Sequence, residues 1–190
     1  MAMPAPLLIA LAGPNGAGKS TFFESQLRVL GLPFLNADIV SRETGMDAYL
    51  AAETIASIRD QMIRRKESFV METVFSDPVG EKVRILEGAV NEGYDVILIF
   101  IGITGPELSA RRVNARVSAG GHDVPAEKLE PRYKRSLANL ERAVACLPRV
   151  MIYDNSSFKN PFRLIAEYRS GSLLRKVEEP VPEWVRELPG

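Results

Sequence analysis

A glycine-rich segment near the N-terminus constrains the fold more than any other part of the chain. Its residues, Gly13-Pro14-Asn15-Gly16-Ala17-Gly18-Lys19-Ser20, fit the pattern G-x-x-x-x-G-K-[ST]. Apolar residues over 7–12 predict a strand before it, and the periodicity over 19–30 predicts a helix after it. A strand, such a turn and a helix form a loop whose backbone N–H groups bind phosphate. The segment therefore predicts an α/β protein that binds a nucleotide.

The positions of this phosphate-binding loop (P-loop, Walker A) have separate tasks. We expect Lys19 to bridge the β- and γ-phosphates and the Ser20 hydroxyl to bind Mg²⁺. ATP with Mg²⁺ is therefore the expected cofactor pair. Further nucleotide contacts are expected from Gly13, Asn15, Gly16, Ala17, Gly18 and Thr21. The loop alone leaves open what happens to the phosphate.

Short apolar runs alternate with longer amphipathic segments along the rest of the chain. This order predicts a three-layer α/β sandwich around a mostly parallel sheet. Two strands around Ser170-Gly171-Ser172 and a short helix are predicted after it. We expect one domain over 1–190, divided into a core (7–157), a helical lid (116–135) and a C-terminal hairpin with its tail (161–190). The further predicted strands are 34–36, 68–72, 94–104 and 150–153, and the further helices are 48–66, 79–92, 106–118 and 129–147, with Pro131 in the first turn of the last.

Composition excludes several classes of protein. Lys plus Arg and Asp plus Glu both total 24, so bulk positive charge for nucleic-acid binding is absent. No apolar run reaches the roughly 20 residues that span a bilayer. The single cysteine, Cys146, is expected to be a core residue and favours a reducing compartment. A cytoplasmic protein with a small-molecule substrate, and neither nucleic acid nor membrane as partner, is expected.

Two acidic residues follow predicted strands, where chemistry gathers in sheets of this kind. Asp38 comes after the strand over 34–36, and Glu72 ends the strand over 68–72. A carboxylate opposite the loop can orient an acceptor hydroxyl and take its proton. A second carboxylate can bind substrate hydroxyls or help to hold Mg²⁺ through water. The alternatives are a helix N-cap for Asp38 and an exposed strand-end acid for Glu72.

Phosphoryl transfer needs cations around the moving group, and two predicted helices supply arginines on either side of a small polar loop. The loop spans 119–125 and contains His122, for which a loop or substrate contact is favoured over a catalytic base. Helix, loop and helix together are typical of a closing lid. The alternative is a set of solvated arginines. These arginines are Arg111, Arg112 and Arg116 on the first helix and Arg132 and Arg135 on the second.

One polar side chain follows the last parallel strand. Asn155 lies in the run Tyr-Asp-Asn-Ser-Ser over 153–157, where phosphate-loop enzymes often contact the nucleotide base. Asn155 is therefore a candidate for adenine contact, with an Asx turn as the alternative.

With these segments assembled, the chain resembles the zeta toxin family. It is most similar to the short bacterial group that is often labelled predicted ABC-type ATPases. The resemblance runs from residue 7 to about residue 157 and implies the fold and activity of a P-loop kinase. The segments that carry it are AGPNGAGKST, LNADIV, FVMETVFS, RRVNARVSAGGHDVP, RYKRSLANL and YDNSS.

The resemblance also implies roles for single residues. It implies Lys19 and Ser20 for ATP and Mg²⁺, Asp38 as the base that activates a sugar hydroxyl, and Arg116 as a phosphate-stabilising arginine. Substrate contacts are implied for Glu72, with Thr73 beside it, and the second lid cation for His122, Arg132 or Arg135.

The known toxins phosphorylate UDP-N-acetylglucosamine, which makes this nucleotide sugar the implied acceptor. An antitoxin partner is left open, as is a toxin–antitoxin role. Two other functions stay open at this point. One is a kinase for another nucleoside or metabolite, and the other is a nucleotide-binding switch with slow ATPase activity.

Overall fold

Seven strands form one sheet in the part of the chain that the computed structural model describes, residues 4–118, 125–177, 180–186 and 188. The spatial order is β2-β3-β1-β4-β5-β6-β7. The first five strands are parallel, and β6 and β7 continue the sheet as an antiparallel hairpin. The strands are β1 (Leu7–Ala12), β2 (Phe34–Leu35), β3 (Phe69–Thr73), β4 (Asp95–Gly102), β5 (Arg149–Asp154), β6 (Arg163–Arg169) and β7 (Ser172–Lys176). The predicted fold class and hairpin are confirmed.

The central strands are apolar because helices cover both faces of the sheet. Along β4, Leu98 and Phe100 pack into one core cluster, whereas Ile99 and Ile101 pack into the other. The alternation follows from the strand period of two. No helix of the described residues is long and apolar enough to cross a membrane.

Six α-helices are seen in the described chain, and most lie close to their predicted positions. The helix after the phosphate-binding loop is α-helical only over its first turn, and then continues as a π-helical turn (Phe23–Leu27) and a 3₁₀ turn (Arg28–Leu30). The C-terminal helix that was predicted is a single 3₁₀ turn, Glu183–Val185. The α-helices are α1 (Lys19–Phe22), α2 (Ala37–Thr44), α3 (Ala48–Arg65), α4 (Glu81–Asn91), α5 (Gly105–Ser118) and α6 (Ala126–Cys146).

Two local predictions are wrong. Helix α6 starts at Ala126, directly after Pro125, so Pro131 is its sixth residue and lies beyond the first turn. Cys146 is exposed and not part of the core. It is the last residue of α6, and the buried apolar face of the helix passes through Leu140, Ala143 and Val144 instead.

The carboxyl ends of the parallel strands gather the segments that matter for function. Strand β1 ends at Ala12 beside the ends of β3 and β4, and β5 ends at Asp154 beside Gly102. Because these strands run the same way, the segments after them meet at one edge of the sheet.

Candidate functional site

The loop between β1 and α1 is held in its shape by close backbone approaches. Gly13 has a φ of 143°, and a Cβ there would lie 2.1 Å from the Ile101 carbonyl oxygen of β4. Gly18 has a φ of 91°, and its Cβ would lie 2.6 Å from Nδ2 of Asn155. Side chains are excluded at both positions, which is why the motif has glycine there. The predicted loop is therefore built closely against β4 and the segment after β5.

Asn15 anchors the middle of the loop. Its backbone carbonyl accepts a hydrogen bond from Oγ of Ser109 at 2.7 Å. Its side-chain Oδ1 is buried and has no hydrogen-bond partner among the described residues.

Lys19 is the first residue of α1, and its side chain is buried over the loop. Its ammonium donates to the carbonyl oxygens of Gly13 and Pro14 at 3.0 and 3.1 Å. The same Nζ lies 3.7 Å from Oε1 of Glu72. The charge therefore stands directly above the backbone that would cradle a phosphate.

Glu72 joins the loop to the neighbouring strand. It pairs with Leu11 in the β1–β3 register, two residues before the loop begins. Its Oε2 accepts hydrogen bonds from the Ser20 hydroxyl at 2.9 Å and from Nδ2 of Asn36 at 2.7 Å. The alternative for Glu72, an exposed acid at the end of a strand, is wrong because this carboxylate accepts hydrogen bonds within the site.

Asn36 was not predicted, and it explains the position of Asp38. The Asn36 side chain caps α2 by accepting from the Ile39 backbone N–H at 3.1 Å, and it also donates to Glu72. Asp38 is therefore not the N-cap, and its exposed carboxylate stands in the first turn of α2. A side chain that caps a helix accepts a hydrogen bond from the backbone N–H two or three residues later. The spacing of Asn36 and Ile39 fits this pattern, so the cap could have been predicted from the sequence.

Asp38 and Glu72 line one cleft, which we call the acceptor cleft. One wall is the start of α2, a second is a face of α3, and the floor is the end of β3 with Thr73. The Thr73 hydroxyl also accepts from the Phe75 backbone N–H at 3.1 Å. The lining residues are Asn36, Ala37, Asp38, Ala52, Ile55, Ala56, Arg59, Met71, Glu72, Thr73, Val74 and Lys82.

A second pocket, which we call the phosphate pocket, lies over the loop and meets the acceptor cleft at Glu72. The lining residues are Gly16, Gly18, Lys19, Ser20, Thr21, Glu72 and Arg112. The hydroxyl of Ser20 and the carboxylate of Glu72 supply oxygen atoms here. Mg²⁺ prefers oxygen ligands and takes several of them from phosphates and water, so this donor pair fits the ion. No cluster of three His, Cys, Asp or Glu side chains is found within the described ranges.

Arg112 on α5, one of the arginines predicted around the transferred phosphate, contacts the phosphate-binding loop. It lines the phosphate pocket and donates from Nη1 to the Gly16 carbonyl at 3.3 Å. Its Nε is buried without a hydrogen-bond partner in the described part of the chain. Burial lowers the pKa of this guanidinium, and the Asp154 carboxylate partly offsets the shift. The signal was present, since Arg112 lies one helical turn before Arg116.

A third pocket, which we call the aromatic pocket, lies beside Arg112. The Arg112 guanidinium carbon lies 5.0 Å from the centre of the Phe158 ring. Asn155 holds the same region to the loop by donating from Nδ2 to the Ala17 carbonyl at 2.8 Å. Aromatic and guanidinium planes of this kind suit a planar base. The pocket is lined by Gly16, Gly18, Thr21, Arg112, Asn155, Phe158, Pro161 and Phe162.

Of the other predicted lid residues, the side chains of Arg132 and Arg135 are described. Arg135 donates from Nε to the Ser76 carbonyl at 2.7 Å and so fixes the segment after β3. Arg132 lies three residues earlier on α6 and is half-buried. His122 and the side chain of Arg116 lie outside the described residues.

A mostly parallel sheet with helices on both faces and a phosphate-binding loop after its first strand define the class as a kinase-like P-loop NTPase. The chain belongs to the zeta toxin family, whose family model matches residues 41–161, well over half of the chain. The match begins after the phosphate-binding loop and Asp38.

Solved structures support the fold. The AvrRxo1-ORF1:AvrRxo1-ORF2 complex with sulphate ions has a TM-score of 0.66 and 18% identity over 88% of this chain. The chain spans 60% of the length of that protein. The PezAT toxin–antitoxin system of Streptococcus pneumoniae gives a TM-score of 0.58 and 19% identity, covering 88% of this chain and 72% of that one. A putative kinase from Chloroflexus aurantiacus gives 0.53 and 18%, covering 70% and 80%. A search of curated proteins finds no match.

Proposed function

We propose that the protein is an ATP-dependent kinase that transfers the γ-phosphate to a hydroxyl of a small molecule, UDP-N-acetylglucosamine or a related sugar. One observation carries the proposal. Glu72 is a common wall of the acceptor cleft and the phosphate pocket, 3.7 Å from the Lys19 ammonium. A hydroxyl in the cleft would therefore meet a phosphate held by the loop, as direct transfer requires.

The roles follow from position. Lys19 holds the β- and γ-phosphates, and Arg112 stabilises charge on the moving group. Arg116 is given the same role from the family resemblance alone. The Asp38 carboxylate takes the proton of the acceptor hydroxyl. The acceptor oxygen then bonds to the γ-phosphorus as the bond to the β–γ bridging oxygen breaks, and ADP leaves. Mg²⁺, held by Ser20 with Glu72 nearby, supplies neutralisation of phosphate charge when it is bound.

We assign the adenine to the aromatic pocket, where Asn155 holds the loop. The Phe162 and Phe158 rings and the Arg112 guanidinium bind a base by stacking, with little demand for base-specific hydrogen bonds. Thr21 and the loop backbone complete the contacts to the α- and β-phosphates.

The structural relatives suggest a partner. AvrRxo1-ORF1 is seen in complex with AvrRxo1-ORF2, and PezAT is a toxin–antitoxin system. We extend the proposal to a cytoplasmic protein with an antitoxin partner. Overexpression of wild type should then slow growth, whereas Lys19→Ala should not. Unimpaired growth with abundant active wild type would remove the toxin role.

Product analysis tests the kinase proposal. Purified protein with ATP, Mg²⁺ and UDP-N-acetylglucosamine should give a new phosphomonoester on the sugar by phosphorus NMR and mass spectrometry. Lys19→Ala, run beside it, should give none. Free phosphate as the sole product across a wider panel of sugars and nucleosides would favour a nucleotide-binding switch instead.

A further inference from the structure

Asn36 lies at the junction of the acceptor cleft and the phosphate pocket. It follows β2 and precedes α2, and its backbone is still extended, with φ −142° and ψ 113°. Leu35 pairs with Met71 in the β2–β3 register, so Asn36 falls beside Glu72 at the next position. The residue lines the cleft and is 4% exposed. An uncharged amide is therefore buried against the carboxylate that the two pockets share.

Both ends of this amide are used. Its Oδ1 accepts from the Ile39 backbone N–H at 3.1 Å, and its Nδ2 donates to Oε2 of Glu72 at 2.7 Å. Serine and aspartate cap helices about as well as asparagine does, so the cap alone does not require this residue. A serine side chain ends one atom earlier, and an ionised aspartate has no hydrogen to donate. Asparagine is the capping residue that can also donate to a carboxylate at this distance.

Glu72 receives two donors on one oxygen. Its Oε2 accepts from the Ser20 hydroxyl at 2.9 Å as well as from Asn36, while Oε1 stands 3.7 Å from the Lys19 ammonium. Because the Ser20 hydroxyl donates its hydrogen to Glu72, the lone pairs of its oxygen are left for a cation. Without Asn36, Oε2 keeps a single donor, and the carboxylate can turn towards the ammonium beside it. The Ser20 hydroxyl would then lose the acceptor that orients it.

We infer that Asn36 is a positioning residue that holds Glu72 in the orientation in which Ser20 can bind the Mg²⁺ of the nucleotide. The inference rests on the proposed function and adds a residue that acts through Glu72. Side chains that orient a metal ligand typically change metal affinity or activity by roughly 10- to 100-fold when they are replaced. Because the same amide caps α2, it also joins the phosphate pocket to the helix that carries Asp38.

The dependence of nucleotide binding on Mg²⁺ tests the inference without any catalysis. The Kd of AMP-PNP, a non-hydrolysable ATP analogue, is measured calorimetrically with Mg²⁺ and with EDTA, in wild type and in Asn36→Ser. This variant keeps a capping hydroxyl and loses the reach to Glu72. Mg²⁺ should tighten binding in wild type, and the tightening should be roughly 10-fold smaller, or less still, in Asn36→Ser. The Kd with EDTA should stay within about threefold of wild type.

Ser41→Ala is the matched control on the same helix. It removes the hydrogen bond from Oγ of Ser41 to the Met46 carbonyl at 2.7 Å, beyond the C-terminal end of α2, and should keep the full effect of Mg²⁺. The inference would be overturned by the same tightening in Asn36→Ser as in wild type, or by the absence of tightening in wild type. An equal loss in Ser41→Ala, or an equal loss with EDTA present, would overturn it too, because either would show general damage to the site.

Folding and the route of the effect are tested separately. Circular dichroism melts should be similar for wild type and Asn36→Ser, since both residues cap α2. If Asn36→Ser does not fold, Asn36→Asp makes the same test, because it keeps the cap and the size of the side chain but loses the donor. Adding Asn36→Ser to Glu72→Gln should change the Mg²⁺ effect by less than about threefold, and additive losses would show that Asn36 does not act through Glu72.

Transfer kinetics separate this inference from the kinase proposal. With the acceptor found by product analysis, Asn36→Ser should lower kcat roughly 10- to 100-fold and leave the KM for the acceptor within about threefold, because α2 keeps its cap. A reduced Mg²⁺ effect in a protein that transfers phosphate to no acceptor would remove the kinase function and keep the role of Asn36. Transfer by Asn36→Ser at the wild-type rate, with the full Mg²⁺ effect, would keep the kinase and overturn the inference.

Discussion

At the scale of single residues, the site is held by side chains that bond to backbone as well as to each other. Lys19 and Arg112 both donate to loop carbonyls, and Asn36 bonds to Glu72 while it caps α2. Each of these groups is fixed by hydrogen bonds to the protein itself. Such preorganisation lowers the reorganisation needed in the transition state.

From its position, Arg112 is the residue whose substitution should weaken ATP binding most. Arg112→Met keeps an apolar stem against Phe158 but removes the charge between the phosphate pocket and the pocket lined by Phe158 and Phe162. We expect the KM for ATP to rise roughly 10- to 100-fold, because hydrogen bonds to charged groups are lost. Arg111→Met, at the exposed neighbouring position, is the matched control and should behave as wild type. Equal KM values in the two variants would contradict the placement of ATP beside Arg112.

Cys146 gives a prediction about pH. The residue is exposed overall, but partial burial of its thiol, and secondarily Glu87, raises the pKa of this thiol to about 11. A raised pKa keeps the thiol protonated at neutral pH, and the thiolate is the reactive form. Alkylation by iodoacetamide should therefore be slow at pH 7 and rise with a midpoint near the raised pKa. In urea the midpoint should fall towards the ordinary value for cysteine. Rapid alkylation of the folded protein at pH 7 would contradict the shift.

How far the sequence predicts the site depends on whether the cause is local. Asp38 and Glu72 could be located, because each follows an apolar run that ends at the same edge of the sheet. The cap at Asn36 had a local signal, but its hydrogen bond to Glu72 had none, because Glu72 lies 36 residues away and reaches it through strand pairing. The acceptor cleft was missed for the same reason, since Arg59 and Lys82 come from different helices.

At the scale of elements, helix α6 determines the conformation of the segment that follows β3. Asn139 is buried and donates from Nδ2 to the carbonyls of Phe75 and Asp77 at 2.9 and 2.8 Å. Phe75 has a φ of 61°, which is unusual for a large side chain, so the segment depends on these contacts. This segment follows Thr73 and Val74 of the acceptor cleft.

Asn139→Ala should therefore affect both stability and the acceptor. Two buried carbonyls lose their donor, which should cost roughly 1–3 kcal/mol in the free energy of unfolding, measured in urea. The KM for the acceptor should rise more than that for ATP. Glu141→Ala, at an exposed position of the same helix, should stay within about 0.5 kcal/mol of wild type. A variant as stable as wild type would show that this contact does not hold the segment.

Helix boundaries show which features the apolar periodicity of the sequence predicts and which it does not. Segment 19–30 was predicted as one helix because its apolar spacing is helical, but the spacing does not distinguish α, π and 3₁₀ turns. Helix α2 was not predicted because it is one short element with no residue fully buried. Both depend on packing partners rather than on local pattern.

At the scale of the whole molecule, the C-terminal tail returns to the edge of the sheet that carries the site. Trp184 packs on Gly102 at the end of β4, and its indole N–H donates to Asp154 at the end of β5 at 3.0 Å. The Ser156 hydroxyl donates to the same carboxylate oxygen at 2.6 Å and accepts from the Thr104 backbone N–H at 2.9 Å. The tail therefore fixes the two strand ends next to which the nucleotide is proposed to bind.

Gly102→Ala tests the packing of the C-terminal tail on the edge of the sheet. A Cβ at this position would lie 2.1 Å from the Trp184 ring, so the tail must shift. We expect a loss of about 1–3 kcal/mol in the free energy of unfolding, with altered fluorescence of the single tryptophan. Gly88→Ala, inside α4 with nothing within 4 Å of the added methyl, should instead stabilise by up to about 1 kcal/mol. The same response in both variants would contradict the packing of Trp184.

The sequence predicts the overall architecture better than it predicts the packing of the C-terminal tail on the sheet. Alternating apolar and amphipathic segments and the phosphate-binding loop are enough for a parallel sheet with helices on both faces. The contact between residues 102 and 184 has no local signal, because it joins segments that are far apart in the chain.

In the proposed mechanism, Asp38 accepts the proton of a hydroxyl held in the acceptor cleft. The most direct test is the single-turnover rate of phosphoryl transfer in Asp38→Asn and wild type, at saturating ATP and with the acceptor found by product analysis. We predict a rate roughly 10²–10⁴-fold lower, with the Kd for ATP unchanged, because the base acts in the chemical step. A rate within about threefold of wild type would remove Asp38 from the mechanism.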